Sequence, residues 1–243
     1  IAQCLVGSEM CIRDRNATGT WILFVDSDDF IRADSCELLL ETAKKSCADI
    51  VIGSEKKFID ENKIGDLYKH GQEYNMDSEE AIAKYFYRKI SGYACGKLIK
   101  KEIVQMFPFP KGKTFEDTFV VYRYLDNANI IISLKDELYF YRQRKGSIVN
   151  SKFSERQLTI IESLEEAERY FADNKKILVS IQSKKFIAGI DLLGRIPLNK
   201  EWKETRRQIA YMVRQTQDIV LTDPNNSKIV ILMSILSKVS PLL

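Results

Sequence analysis

The sequence predicts an α/β fold followed by a mostly helical region, and three observations carry the prediction. A short run rich in β-branched and aromatic residues, TWILFV at 20–25, ends abruptly in acids. A helix signal and a second apolar run follow it in the order of a βαβ-like unit. After Ser151 the strand-like runs become rare and helical periodicity takes over.

Each element has a local reason. TWILFV is short and apolar, which suits a buried strand better than a helix. Asp34 is a candidate N-cap, and Glu37 three residues later completes a capping box. Leu38, Leu39, Leu40 and Ala43 give that helix its apolar face, and ADIVIG at 48–53 reads as the next strand. Residues 54–75 are polar and irregular, a hairpin or an insertion. A second capping signal opens the helix SEEAIAKYFYRK at 78–89. GYACGKLIKKEIVQM (92–106) reads as a short strand or turn running into a helix, which Pro108 and Pro110 end. Phe115, Phe119, Tyr122 and Leu125 lie at helical spacing, and NIIISL and ELYFYRQR read as two strands.

Composition excludes several classes. The chain has 243 residues, 45% hydrophobic and 29% charged, as in an ordinary globular protein of one or two domains. A net charge of +3 with scattered Lys and Arg argues for no nucleic-acid partner. Five cysteines without CxxC spacing and one histidine, His70, do not suit a zinc site, so reduced thiols in a cytoplasmic setting are expected. No stretch reaches the roughly 18 apolar residues of a membrane span. The nearest, 229–236, is expected to pack as a C-terminal helix on the core; the alternative is a membrane-surface helix. SEMCIRDR (8–15) looks like translated sequencing-adapter read-through, so residues 1–15 are set aside as a non-native leader.

The chemistry concentrates in FVDSDDF, 24–30. Acids crowded at the C-terminal end of a strand stand where α/β sheets bind ligands. A divalent cation among them would relieve their repulsion, since Mg²⁺ and Mn²⁺ bind through one or two carboxylates plus substrate phosphates. The competing explanation is a solvated loop of acids. Glu116 and Asp117 form a second acidic pair at a predicted helix start, where acids also simply complement the helix dipole.

Together, ATGTWILFVDSDDF, GYACGKLIKKEIV, FPFPKGKTFEDTFVVYRYL and LYFYRQRKGSI resemble, in order and approximate spacing, family 2 glycosyltransferases of the bacterial polysaccharide type. The resemblance covers about 16–150 and implies the Rossmann-like GT-A fold, here partial, with 151–243 as a helical C-terminal region. It implies that Asp28 and Asp26 match the DxD motif, Asp28 coordinating Mg²⁺ or Mn²⁺ and Asp26 contacting the nucleotide-sugar. Asp117 matches the catalytic base, with Glu116 beside it, and Arg142 and Arg144 lie where the family's tail closes on the site. Lys97 falls in a further matching segment. The implied donor is a nucleotide-diphosphate sugar such as a UDP-sugar. The implied acceptor is a hydroxyl of a glycan or lipid-linked molecule, reached at the inner face of the cell membrane. Transfer would be inverting and metal-dependent.

Two departures from the family pattern stand out. Its opening units, which grip base and ribose, are missing, and Arg15-Asn16 directly abuts Ala17. The sequence is therefore expected to be an N-terminally truncated fragment. Two other readings compete. A haloacid-dehalogenase-type phosphotransferase also places DxD after a strand, but wants Thr or Val where Phe30 stands. A non-catalytic glycosyltransferase-like binding module would keep the fold without turnover.

Overall fold

A computed structural model describes residues 17–60, 64, 73–144 and 153–239. The chain divides into two compact units, 1–82 with 90–151, and 83–89 with 152–243. The division near 151 lies close to the change of pattern in the sequence, while 83–89 joins the second unit.

In the first unit the strands are β1 (Trp21–Leu23), β2 (Phe30–Ile31), β3 (Ile50–Phe58), β4 (Glu73–Met76), β5 (Lys97–Lys100) and β6 (Ile131–Arg142). They form one mixed sheet in the order β1-β5-β3-β6-β2, with β4 also on β6. The expected strand-helix-strand is present as β1, helix α1 (Ser35–Ser46) and β3, but β1 and β3 are not neighbours. Antiparallel β5 lies between them. β1 alternates half-buried and buried positions, as a strand at the rim of the sheet does, rather than being buried throughout.

Several expectations are corrected. NIIISL and ELYFYRQR form one twelve-residue strand, β6. The polar pair Lys135-Asp136 lies between the two apolar runs, yet Asp136 is buried and has the Arg32 guanidinium 3.8 Å away. The capping box at α1 does not form, because Asp34 takes the Arg32 Nε at 2.5 Å and makes no side-chain cap bond. The helix expected over 78–89 is α2 (Ser78–Phe86), and it is Asp77 that caps it, accepting the Glu80 amide at 2.8 Å. Of the irregular segment 54–75, residues 54–58 prolong β3 and 73–75 open β4. Most of the rest, with His70, lies outside the described residues, as do Cys4, Cys11 and the proposed leader. Cys36, Cys47 and Cys95 are free thiols.

The predicted 92–106 segment is β5 running into α3 (Lys101–Met106), and the second acidic pair opens α4 (Asp117–Asp126). Leu39 and Ala43 of α1 pack with Val51, Leu98, Ile132 and Leu138 of the sheet. Each such Val, Leu or Ile side chain, fully buried, contributes about 1.5–3 kcal/mol. The Tyr124 hydroxyl donates to the Phe107 carbonyl at 2.9 Å, and Phe109 packs edge-on against Phe24. These contacts seat α4 beside the end of β1.

The second unit is helical: α5 (Thr159–Tyr170), α6 (Lys175–Arg195), α7 (Lys203–Thr222) and α8 (Lys228–Val239). Asn174 caps α6 by accepting the Ile177 amide at 3.1 Å. Phe186, Leu192, Ile209 and Val213 form its core. α6 and α7 approach closely at Gly189, where a Cβ would stand 2.4 Å from Val213. α8 turns Ser234 and Ser237 inward and exposes Ile229, Leu232, Ile235 and Leu236. Among the described residues no helix is long and apolar enough to cross a membrane.

Candidate active site

The acids after β1 form a tight turn, closed by the Asp29 amide donating to the Asp26 carbonyl at 3.1 Å. Ser27 is exposed, whereas Asp26, Asp28 and Asp29 are half-buried. The turn is held from the far end of β6. The Tyr139 hydroxyl donates to Asp29 at 2.6 Å and accepts the Asp26 amide at 3.2 Å. The Arg142 amide donates to Asp29 at 2.7 Å, and its Nε to the Asp28 carbonyl at 2.9 Å. Arg144 forms an ion pair with the Asp28 carboxylate. Burial raises the Asp29 carboxyl above its ordinary range; the bonds from Tyr139 and Arg142 oppose the rise, and the charges of Asp28 and Asp26 add to it.

The second acidic pair meets the first. Phe115 adopts a left-handed backbone, φ 58°, immediately before Glu116, and Asp117 begins α4. Asp117 accepts the Ala94 amide at 3.0 Å. Burial, then the neighbouring Glu116 charge, push its carboxyl up to about 7; Asp26 adds to the rise, while the Ala94 bond and Lys97 oppose it. Glu116 is also raised, by burial and by the charge of Asp26. Asp26 is thus the acid through which the two groups sense each other.

Lys97 lies beneath them, 1% exposed. Its ammonium donates to the Ser91 carbonyl at 2.9 Å and also to the Tyr93 carbonyl. Burial lowers it to about 8, although Asp117 and Glu55 pull the other way. Ser91 in turn donates to Glu55 at 2.8 Å. The 91–94 loop is therefore strung between Glu55, Lys97 and Asp117. In this arrangement Lys97 reaches the site through the loop.

The structure brings Asp26, Glu116 and Asp117 into one electrostatic neighbourhood, with Asp28 on the same turn and Arg142 and Arg144 reaching it from the end of β6. Sequence reasoning passed over Tyr139 and the Ser91–Glu55 pair, and assigned Asp29, one of the crowded acids, no ligand role. A signal existed for Tyr139: in a strand, 139 and 141 share one face, so the predicted strand ELYFYRQR sets two tyrosines side by side near its end.

Among the described residues no three His, Cys, Asp or Glu side chains are arranged as a complete metal cage. The donor chemistry instead fits a hard cation shared with a ligand's phosphates, for which one or two carboxylates suffice. Asp26 and Asp28 are the carboxylates that could supply them; burial first, and the charge of Asp26 after it, raise the carboxyls of Asp29, Glu116 and Asp117.

Residues 15–107 match the family model described as Glycosyl transferase family 2. Glycosyltransferase GlyG of Streptococcus pneumoniae serotype 4 (strain ATCC BAA-334 / TIGR4) is 31% identical over 146 residues, covering 56% of this chain and 48% of the relative. The putative glycosyltransferase EpsH of Bacillus subtilis (strain 168) is 26% identical over 216 residues, covering 86% of this chain and 61% of the relative. The chain thus spans about half to three fifths of these relatives. The crystal structure of S. aureus TarS 1-349 in complex with UDP-GlcNAc superposes with a TM-score of 0.61 at 16% identity, covering 93% of this chain and 66% of that one. A UDP complex of TarS 1-349 gives 0.56 at 15% identity, covering 96% of this chain and 66% of that one. The likeness shows a GT-A-like fold followed by helices.

Proposed function

From a glycosyl transferase family 2 segment at residues 15–107, carried on a GT-A-like fold, we propose that the protein transfers a sugar from a nucleotide-diphosphate donor to an acceptor hydroxyl. The observation that carries the proposal is the meeting of the two acid groups at Asp26, with Asp117 raised to about 7 beside it. A general base works best when its proton affinity lies near the operating pH. Asp117 receives the proton from the attacking hydroxyl. With one base and no second nucleophile invoked, the displacement is single and inverts the anomeric centre.

Asp28 and Asp26 would hold Mg²⁺ or Mn²⁺. Such an ion, when bound, stabilises charge on a departing diphosphate without a proton. Arg144, whose side chain is 58% exposed, is the cation able to exchange Asp28 for phosphate oxygens. Arg142 keeps the turn in shape through its amide and Nε. Glu116 keeps Asp117 basic, and Lys97 supports the loop that bonds it. A UDP-sugar is the donor class favoured by the UDP-GlcNAc in the TarS structure. The acceptor is a glycan or a lipid-linked molecule of polysaccharide synthesis. The exposed apolar residues of α8, with Lys228 and Lys238 at its ends, suit contact with an anionic cytoplasmic membrane face.

The test is transfer of radiolabelled sugar from a panel of UDP-sugars to membrane extract. It uses the protein at its full native length, with Mn²⁺ present and after chelation. The expected result is Mn²⁺-dependent incorporation that Asp117→Asn abolishes. Full incorporation by Asp117→Asn would overturn the assignment of the base.

A further inference from the structure

The three acids of the turn look equivalent in sequence, but their partners divide them. Both carboxylate oxygens of Asp29 are engaged within the chain: Oδ2 takes the Tyr139 hydroxyl at 2.6 Å and Oδ1 the Arg142 amide at 2.7 Å. The same tyrosine oxygen accepts the Asp26 amide at 3.2 Å. One phenol therefore clasps both ends of the turn, in parallel with the turn's own 3.1 Å backbone bond. The phenol is fixed in its turn. Tyr139 is 3% exposed, and its Cβ lies 3.0 Å from where a Cβ on Gly96 would stand, so the ring packs against a position with positive φ and no side chain. Asp28 differs: its carboxylate faces the half-exposed Arg144, which can move away.

From this geometry we propose that Tyr139 and Asp29 are positioning residues, which hold the turn so that Asp26 and Asp28, and not Asp29, are the carboxylates offered to a divalent cation and the donor diphosphate. The inference rests on the glycosyl-transfer reading and deepens it. Magnitudes favour this division. If Asp29 turned to ligate a cation, a buried tyrosine hydroxyl and a strand amide would lose their acceptor, at about 1–3 kcal/mol each. Asp28 would only exchange one exposed cation for another. Groups that hold metal ligands from behind also matter to affinity in their own right.

The experiment uses the protein at full native length and compares Tyr139→Phe, which removes only the hydroxyl, with Asp29→Asn, Asp28→Asn and the Tyr139→Phe/Asp29→Asn double variant. Mn²⁺ binding in the presence of UDP is read by electron paramagnetic resonance. Amide hydrogen exchange over 26–29 is read in metal-free protein, and melting temperature is followed throughout. Tyr139→Phe is expected to weaken Mn²⁺ about tenfold and to speed exchange at Asp26 and Asp29, with kcat at saturating Mn²⁺ within about twofold of wild type. The double variant is expected to bind Mn²⁺ no more weakly than the worse single one, because both remove the same clasp. Wild-type Mn²⁺ affinity in a folded Tyr139→Phe, or Mn²⁺ binding lost in Asp29→Asn as completely as in Asp28→Asn, overturns the inference and leaves glycosyl transfer intact. If the wild type binds neither Mn²⁺ nor UDP, the glycosyl-transfer reading fails instead. Unchanged exchange at 26–29 in metal-free Tyr139→Phe then rejects the clasp as well.

Discussion

The two units bury polar side chains for opposite purposes. In the helical unit most buried hydroxyls donate to a carbonyl of their own helix, Ser180 to Ile177 at 2.7 Å, Thr216 to Val213 at 2.8 Å and Ser237 to Ser234 at 2.8 Å, while Ser234 donates across to the Gln217 carbonyl of α7 at 3.4 Å and Ser237 accepts the Gln217 side-chain amide at 2.7 Å. The bonds within a helix satisfy the hydroxyl a turn away and leave a small side chain at a helix contact. In the sheet unit the polar bonds join distant segments and converge on one corner. Tyr139 and Asp29 are 110 positions apart, Arg144 and Asp28 are 116. Local closure serves packing. Long-range convergence orders groups whose charges repel, which a fold retains only where those charges have work to do.

Substitutions on each side break or sharpen that contrast. The harshest break is Asp117→Asn, expected to lower kcat by about 10²–10⁴-fold with donor KM little changed, measured by labelled-sugar transfer. Asp28→Asn comes next: its loss of transfer is expected to be partly restored by excess Mn²⁺, which a Mn²⁺ titration of initial rates would show and which Asp117→Asn would not share. Lys97→Met leaves the carbonyls of Ser91 and Tyr93 without their donor and is expected to cost about 1–3 kcal/mol in urea unfolding.

Glu116→Gln acts more gently, on pH dependence. A base works only unprotonated, so the wild-type kcat/KM is expected to fall tenfold per unit below pH about 7. Removing the adjacent negative charge lets Asp117 release its proton more readily, so this limb moves to lower pH. In the helical unit, Ser180→Ala is expected to change stability by less than about 1 kcal/mol, read by thermal unfolding, because the Ile177 carbonyl keeps its helical partner.

Much of the site was legible because carboxylates crowd directly after an apolar run and recur at a helix start. The division of labour among Asp26, Asp28 and Asp29 was not, since it depends on a tyrosine and two arginines at the far end of β6. The same limit explains the misread elements. Two-residue β2 is too short to show a period. Lys135-Asp136 hides the continuity of β6, because a charged pair inside a strand is accommodated by distant groups, among them Arg32 about a hundred residues earlier. Asp34 fails as a cap for a related reason: that arginine competes for its carboxylate. Helices with clear periodicity, such as α4 and α5, needed no distant partner and were readable from spacing alone.

Phe115 has a consequence for engineering. A bulky aromatic in the left-handed region costs on the order of 1–3 kcal/mol. Selection for heat tolerance would therefore favour Gly or Asn at 115. The relaxed backbone would free the start of α4 to wander, and the hardier variant would make the poorer catalyst.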